Sequence, residues 1–406
     1  MTTEIPTELL TPLQAYLSLR SEGAGSFLLE SVEQGRLGRY SFVGCGKEIV
    51  SFAEAERRGR PVVGYLGYDH VATLEPTVEL PEAGSGLAES QFIVTDVLLR
   101  FDHARGIAEV LHGDPGEIAA RLDEQALLPP VPGGESRPPR LPSREDYEAA
   151  VRRAQEHIVA GDIFQVVLSQ TVERTTRASA LDLYRALRRI NPSPYMFLLE
   201  LDGLQLIGSS PETLVKAESG RATLNPIAGT TGPGPGDAER LLASDKDRAE
   251  HVMLVDLGRN DLSRVCDPGT VRVTRFLEVE RFSHVTHLVS EVEGQLADGA
   301  GPFELLRACF PAGTVSGAPK VRAMQLISEL ERYRRGPYAG AVGYVLPDGT
   351  LDTCIAIRTI VLTGGVARLQ AGAGIVADSD PRSEHEECRA KLAVLEAAIE
   401  RAEAGL

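Results

Sequence analysis

Beyond residue 190 the sequence places short apolar runs back to back. Strand-like segments at 195–201, 204–209 and 212–217 follow one another, and Ser219-Gly220 turns the last of them into Ala222-Thr223-Leu224. Strands in hairpin succession pair antiparallel and leave no room for alternating βαβ units. A longer strand at 163–172 alternates Phe164, Val166 and Leu168 on one face with Gln165, Val167 and Ser169 on the other. Ahead of it, Ser143 and Asp146 form a capping pattern for a helix with Tyr147, Ala150, Val151, Ala154 and Ile158 on one stripe, ended by Gly161. Earlier runs at 26–29, 40–43, 62–68 and 92–99 also read as strands. The predicted fold class is α/β of the α+β type, with mostly antiparallel sheets and helices outside.

Residues 127–142 hold Pro129, Pro130, Pro132, Pro138, Pro139 and Pro142 with Gly133-Gly134. This composition suits neither helix nor sheet interior and reads as an extended linker. It separates an N-terminal region, 1–126, from a larger C-terminal domain, 143–402. A net charge of −16 disfavours nucleic acid and anionic membrane surfaces as partners. The five cysteines are scattered without a CxxC pair, which fits a reducing compartment better than a disulfide framework or zinc knuckle. With no signal-like N-terminus and no apolar run of membrane-spanning length, a cytoplasmic location is expected.

Chemistry concentrates where glycine loops meet helices. Gly372-Ala373-Gly374 reads as a turn feeding a helix that carries Glu384 and Glu387 on one face and Lys391 one turn on. A second predicted helix, 241–257, carries Asp247 and Glu250 with the same spacing. Either doublet alone fits a helix N-terminus complementing its macrodipole. Two doublets beside glycine loops fit a shared Mg²⁺ that keeps waters for a substrate anion to displace. The loop at 310–320 is read as a carboxylate cradle formed by Ser316, Gly317 and the following amides, with Pro319 as the first helical residue. His284 and His287 either share a helical face or turn one ring inward as an acid–base group. No GxxxxGK[ST] or GxSxG motif occurs, so acid–base chemistry on a metal-held anion is favoured over nucleotide binding or covalent catalysis.

The runs GDIFQVVLSQ (161–170), SSPET (209–213), NPIAGT (225–230), DKDRAEHVMLVDLGRNDL (245–262), ERFSHVTHLVSEVEG (280–294), PAGTVSGAPK (311–320), GPYAGAVGY (336–344), DTCIAIRT (352–359) and GAGIVADSDPRSEHEECRAK (372–391) resemble, in order and spacing, the chorismate-utilising enzymes. The resemblance implies a chorismate-binding core and an Mg²⁺ cofactor held by Glu250 and Glu387, with Asp247 and Glu384 as outer-shell acids. It implies substrate contacts from Gly229, Thr230, Tyr338, Arg358, Gly372, Ala373, Gly374 and Lys391. Ammonia would add at ring C2 as the C4 hydroxyl leaves, protonated by Glu212, and His287 would serve the elimination of pyruvate. Water-adding members carry a lysine where this chain has Gln165. Members forming aminodeoxychorismate carry one where this chain has Ala228. The resemblance therefore points to the anthranilate-forming branch, with the aminodeoxychorismate branch as the alternative.

The same resemblance implies an L-tryptophan inhibitor site at Glu30, Ser31, Pro194, Tyr195 and Met196, from the segments at 28–31 and 191–197. A catalytically silent tryptophan-binding subunit is the alternative from another class, opposed by the retained Glu250, Glu387, Arg358 and His287. Ammonia from glutamine would come from a separate amidotransferase subunit, so a hetero-oligomer is expected. Two departures from the family pattern stand out: Asn225 and Thr231-Gly232-Pro233-Gly234 replace arginine-bearing positions around the PIAGT run, and the N-terminal region is short.

Overall fold

The computed structural model describes residues 3–20, 25–31, 39–84, 86–124, 143–232, 234, 236–281 and 286–405. The expected linker at 127–142 and His284 lie outside the described residues. Two large sheets dominate. In the first, the strand order is Glu4–Pro6, Ile107–His112, Val97–Asp102, Tyr40–Gly46, Gly25–Glu30, Tyr195–Leu201, Leu204–Ser210, Thr359–Thr363, Val366–Ile375, Gln165–Thr175 and Gly317–Ala318. In the second it is Ile227–Thr231, Thr286–Gln295, Arg221–Leu224, Thr213–Glu218, Leu351–Ile355, Ala341–Val345, Val62–Leu66, Ser90–Val94 and Glu48–Val50, with Arg272–Arg281 also paired to Thr286–Gln295. Among the described residues every strand pairing is antiparallel.

Period-two alternation explains how the sheets stack. On Tyr195–Leu201, Phe197, Leu199 and Leu201 enter a cluster with Val63, Tyr65, Ile93 and Val342 of the second sheet. That cluster comes from strands of both sheets, so the two pack face to face. The alternate residues Met196 and Leu198 face outward onto helices Ala180–Ile190 and Pro381–Glu403, through Leu183, Leu187, Leu392 and Ile399. A third cluster joins helices Arg144–Val159, Pro302–Cys309 and Lys320–Glu331 to the second sheet and to Val166 and Leu168 of the first. Helices thus flank the strands, as expected. Truncating a side chain such as Leu198 would cost about 2–5 kcal/mol.

Strands from both sides of the proline-rich segment share each sheet. Gly25–Glu30 pairs with Tyr195–Leu201, and Val62–Leu66 with Ala341–Val345. The helix after Ser143 runs over Arg144–Val159, with Ser143 as N-cap, and Gly161 takes the left-handed φ of +84°.

Several elements differ from expectation. The run at 92–99 splits into Ser90–Val94 and Val97–Asp102, one in each sheet. The crossing is held by Thr95 and Asp96, whose N–H groups donate to Pro61 and Cys45 carbonyls. The helix at 241–257 is broken into Asp237–Ala243 and Asp245–Ser263. Ser244 interrupts it by accepting from the Asp247 N–H, the preferred role of serine at a helix start. His287 sits in a strand, Thr286–Gln295, not on a helical face. Phe164 precedes its strand and is exposed, whereas Val166 and Leu168 are core residues as expected.

Candidate active site

Antiparallel register sets Gly372 against Ser169 and Gly374 against Val167. Gln165, Val167, Ser169, Gln370, Gly372 and Gly374 therefore share one face of the first sheet. Residues 372–374 are strand, not the expected turn, because the long Val366–Ile375 strand carries them along Gln165–Thr175. Pairing on the other side, with Thr359–Thr363, stops at Leu369, so the backbone beyond it has a strand on one edge only. Glycine is needed here for close approach: a Cβ at 372 would lie 2.8 Å from Tyr338 Oη, and one at 374 would collide with Gln165 Nε2.

This face borders a cavity of about 350 Å³ into which Glu212, His287, Tyr338, Arg358 and Lys391 converge. Glu212 lies just before the Thr213–Glu218 strand, where its carbonyl accepts from Ile355 N–H at 3.0 Å. Its carboxyl touches the cavity but is walled by protein. Burial raises it to about 7, against the pull of the Thr314 hydroxyl, Arg358 and Lys391. The Thr314 hydroxyl lies near but makes no hydrogen bond of normal geometry.

His287 donates from Nδ1 to the Gly229 carbonyl at 3.0 Å. Since that carbonyl can only accept, the hydrogen-bond network assigns the proton to Nδ1 and leaves Nε2 as the basic nitrogen. Burial lowers the ring's pKa, so it is neutral at pH 7. Gly229 occupies a bulge at φ +65°, and a Cβ there would press 3.2 Å from the Asp247 Cβ. Thr230 stands opposite His287 in the register.

Arg358 is a non-glycine residue at φ +51°, held by Ser209 N–H donating to its carbonyl at 3.1 Å. Such strain persists where the surroundings impose it, commonly at ligand sites. Its guanidinium is enclosed and depressed in pKa by burial, with Tyr338, Glu212 and Glu387 as compensating neighbours. Among the described residues it makes no hydrogen bond or ion pair through its side chain. A buried fork of donors facing a cavity is suited to a carboxylate.

The four helix acids are positioned by the two helices identified from sequence. Glu250 Oε1 accepts from Gln165 Nε2 at 3.2 Å. Lys391 Nζ donates to Glu387 Oε1 at 2.6 Å and to the Gly372 carbonyl at 2.8 Å. Both carboxylates are thereby tethered to the same pair of floor strands. Asp247 and Glu384 lie one turn before Glu250 and Glu387 on their helices. Carboxylate oxygens are a donor set that fits Mg²⁺. No group of three metal-binding side chains is drawn together among the described residues.

The inhibitor-segment residues meet in sequence register but diverge in side-chain direction. Met196 pairs with Glu30, which sets Tyr195 opposite Ser31. Glu30 bonds Tyr184 and pairs with Arg188 at 3.2 Å, while Met196 is core. Tyr195 turns the other way, its hydroxyl within 2.8 Å of Thr213 Oγ1 and 3.0 Å of Asp352 Oδ1. Pro194 lines the main cavity beside Glu212 and Arg358.

The loop at 310–320 contributes differently from expectation. Gly317–Ala318 pairs with Gln165 and Val166, and Pro319 is the N-cap of Lys320–Glu331. Backbone spent on sheet pairing cannot cradle an anion, and Thr314 and Val315 line the cavity instead. Their signal was the loop itself; choosing the residue within it needed the pairing. Gln370 also lines the cavity and carries no motif of its own. Asn191 and Ser193, from the 191–197 segment read as part of an inhibitor site, line it too.

Residues 23–397 match the family of chorismate binding enzymes. The chain belongs to that family. It is 44% identical to anthranilate synthase component 1 of Thermus thermophilus, covering 98% of this chain and 97% of that protein. It is also 44% identical to the Streptomyces coelicolor protein of the same name, covering 97% and 88%. The crystal structure of anthranilate synthase component I from Streptococcus pneumoniae superposes with a TM-score of 0.78 at 32% identity, covering 96% of this chain and 98% of that one. The menaquinone-specific isochorismate synthase of Escherichia coli shares the fold, with a TM-score of 0.77 at 23% identity and coverage of 98% and 94%. This chain is an enzyme of that fold. No helix among its described residues is long and apolar enough to cross a membrane.

Proposed function

We propose that the chain converts chorismate and ammonia to anthranilate and pyruvate, with Mg²⁺ as cofactor. One observation carries this reading: a single cavity holds the guanidinium of Arg358, which has no side-chain hydrogen bond or ion pair among the described residues, beside a carboxyl raised to about 7, Glu212, and a neutral imidazole, His287. The Arg358 fork binds a substrate carboxylate in two parallel hydrogen bonds. Tyr338 and Lys391 fix the remaining wall, and the floor glycines let the ring approach the backbone.

Ammonia forms a bond to ring C2, the diene shifts, and the C4–O bond breaks. Glu212 supplies the proton that lets this oxygen leave as water, a role for which a half-protonated carboxyl at neutral pH is suited. His287 Nε2 then accepts the proton of C2 while the C3–O bond breaks, so enolpyruvate departs and the ring becomes aromatic. Glu250 and Glu387, backed by Asp247 and Glu384, would hold Mg²⁺, which withdraws charge from the ring carboxylate in both steps.

Gln165 and Ala228 favour ammonia as nucleophile and anthranilate as product, since neither position supplies the lysine of the other branches. Glutamine-derived ammonia would be delivered by a separate amidotransferase subunit. L-Tryptophan would inhibit by binding near Glu30, Ser31, Tyr195 and Met196. Pro194, which borders the catalytic cavity, gives that strand end a direct route to the substrate.

Purified protein given chorismate, MgCl₂ and an ammonium salt should release fluorescent anthranilate and equimolar pyruvate, less so with added L-tryptophan. Formation of aminodeoxychorismate or isochorismate alone would overturn the assignment.

A further inference from the structure

Arg335 is fully enclosed, yet neither it nor its partner Glu331 borders the main cavity. Its Nε and Nη2 grip the two Glu331 oxygens at 2.8 and 2.6 Å. Nη1 donates to the Val315 carbonyl at 2.7 Å, and Nη2 to the Val167 carbonyl, also at 2.7 Å. Val167 and Val315 both line the cavity and come from different elements, a floor strand and the 310–320 loop. The guanidinium also lies 5.6 Å from the Tyr338 ring centre and 4.6 Å from that of Tyr68. Asp69 accepts from the Arg335 and Gly336 N–H groups at 3.1 Å each, fixing the backbone that leads into Tyr338.

Glu331 extends the arrangement by one further step. Its Oε1 accepts from Ser169 N–H at 2.8 Å and from Ser169 Oγ at 2.9 Å. An ionised carboxylate only accepts, so the single hydroxyl proton of Ser169 is committed to Glu331. Ser169 Oγ must then accept from Gln370 Nε2, 2.8 Å away. The orientation of the Gln370 amide in the cavity wall is therefore dictated by Glu331 through Ser169.

A buried ion pair is weak evidence for stability, because apolar replacement of both partners is often neutral. Geometry is what this one supplies. We infer that Arg335 and Glu331 are positioning residues for the cavity. Arg335 clamps the Val167 and Val315 backbones and the Tyr338 ring, and Glu331, through Ser169, sets the amide of Gln370. The inference rests on the chorismate reading for its kinetic consequence.

Arg335→Lys keeps the charge but cannot reproduce the planar fork. It should raise KM for chorismate about tenfold with kcat nearly unchanged, the signature of lost uniform binding. Ser169→Ala leaves the ion pair intact and cuts only the relay to Gln370; it should raise KM with an unaltered melting temperature. It also decides the matter if Arg335→Lys does not fold. A lowered melting temperature with wild-type KM in Arg335→Lys would make the pair merely structural, and wild-type KM in Ser169→Ala would overturn the relay. Amide hydrogen exchange needs no substrate: peptides covering 165–170 and 313–318 should exchange faster in Arg335→Lys, and unchanged exchange would overturn the clamp. If the wild-type protein turns over no chorismate, the functional reading fails separately and the exchange result alone judges the clamp.

Discussion

Gln165 on the Gln165–Thr175 strand and Glu250 on the Asp245–Ser263 helix are joined by a hydrogen bond, the amide Nε2 donating to the carboxylate Oε1 at 3.2 Å. The amide fixes the direction of the Glu250 carboxylate, as an orienting partner of a metal ligand would. Replacing Gln165 by lysine would set an ammonium against Glu250. Mg²⁺ affinity should then fall about 10–100-fold, as for loss of other orienting partners of metal ligands. Calorimetric Mg²⁺ titration checks this, and undiminished affinity would remove Glu250 from the metal site.

Glu212 connects the cavity to pH. With its carboxyl raised to about 7, kcat/KM for chorismate at fixed free ammonia should fall as pH rises through about 7. Glu212→Gln should lower kcat by about 10²–10⁴-fold and flatten that profile. The stability sign follows from the same shift. Because the folded value lies above the ordinary 4.5, the stabilising contribution is full below 4.5 and is lost as pH rises through about 7. Chemical denaturation at several pH values should show this dependence weakened in the glutamine variant.

Arg358 is expected to act in binding. Removing a charged, bidentate hydrogen bond costs about 1.5–3 kcal/mol, or roughly 10–100-fold in KM. Arg358→Lys should recover only part of an Arg358→Ala loss, since an ammonium lacks the fork. Equal KM in wild type and alanine variant would exclude a substrate contact.

The two floor glycines should fail differently. A Cβ at 374 would meet the flexible end of Gln165, which can swing away at the expense of its bond to Glu250. Gly374→Ala should thus weaken Mg²⁺ binding with little change in melting temperature. A Cβ at 372 would lie 2.9 Å from the Leu168 carbonyl, which the sheet holds in place, so Gly372→Ala should destabilise by about 1–3 kcal/mol. Thermal melts and Mg²⁺ titrations of both variants separate the two effects.

Local chemistry was legible wherever one element carried it. The carboxylate spacing on the Asp245–Ser263 and Pro381–Glu403 helices, the Ser143 cap and the face shared by Gln165, Val167 and Ser169 all follow from helix and strand periods. The break at Ser244 carried a local signal through which the predicted helix nonetheless ran, the Ser244-x-x-Asp247 spacing that matches the cap at Ser143 and Asp146, and the cap hydrogen bond marks it in the structure. The turn expected at 372–374 turned out to be strand because glycine there answers to Tyr338 and Gln165, residues distant in sequence.

By itself the sequence determined the antiparallel α/β class, the helices that bear acids and the residue types able to bind an anion and move protons. These properties rest on periodicity and side-chain chemistry, which act over a few residues. Tertiary structure alone decided that Glu212, His287 and Arg358 face one cavity, that burial raises the Glu212 carboxyl, and that Arg335 reaches Val167 and Val315. Such facts depend on which distant strands pair and how much water they exclude, and neither quantity is a property of any local stretch of chain.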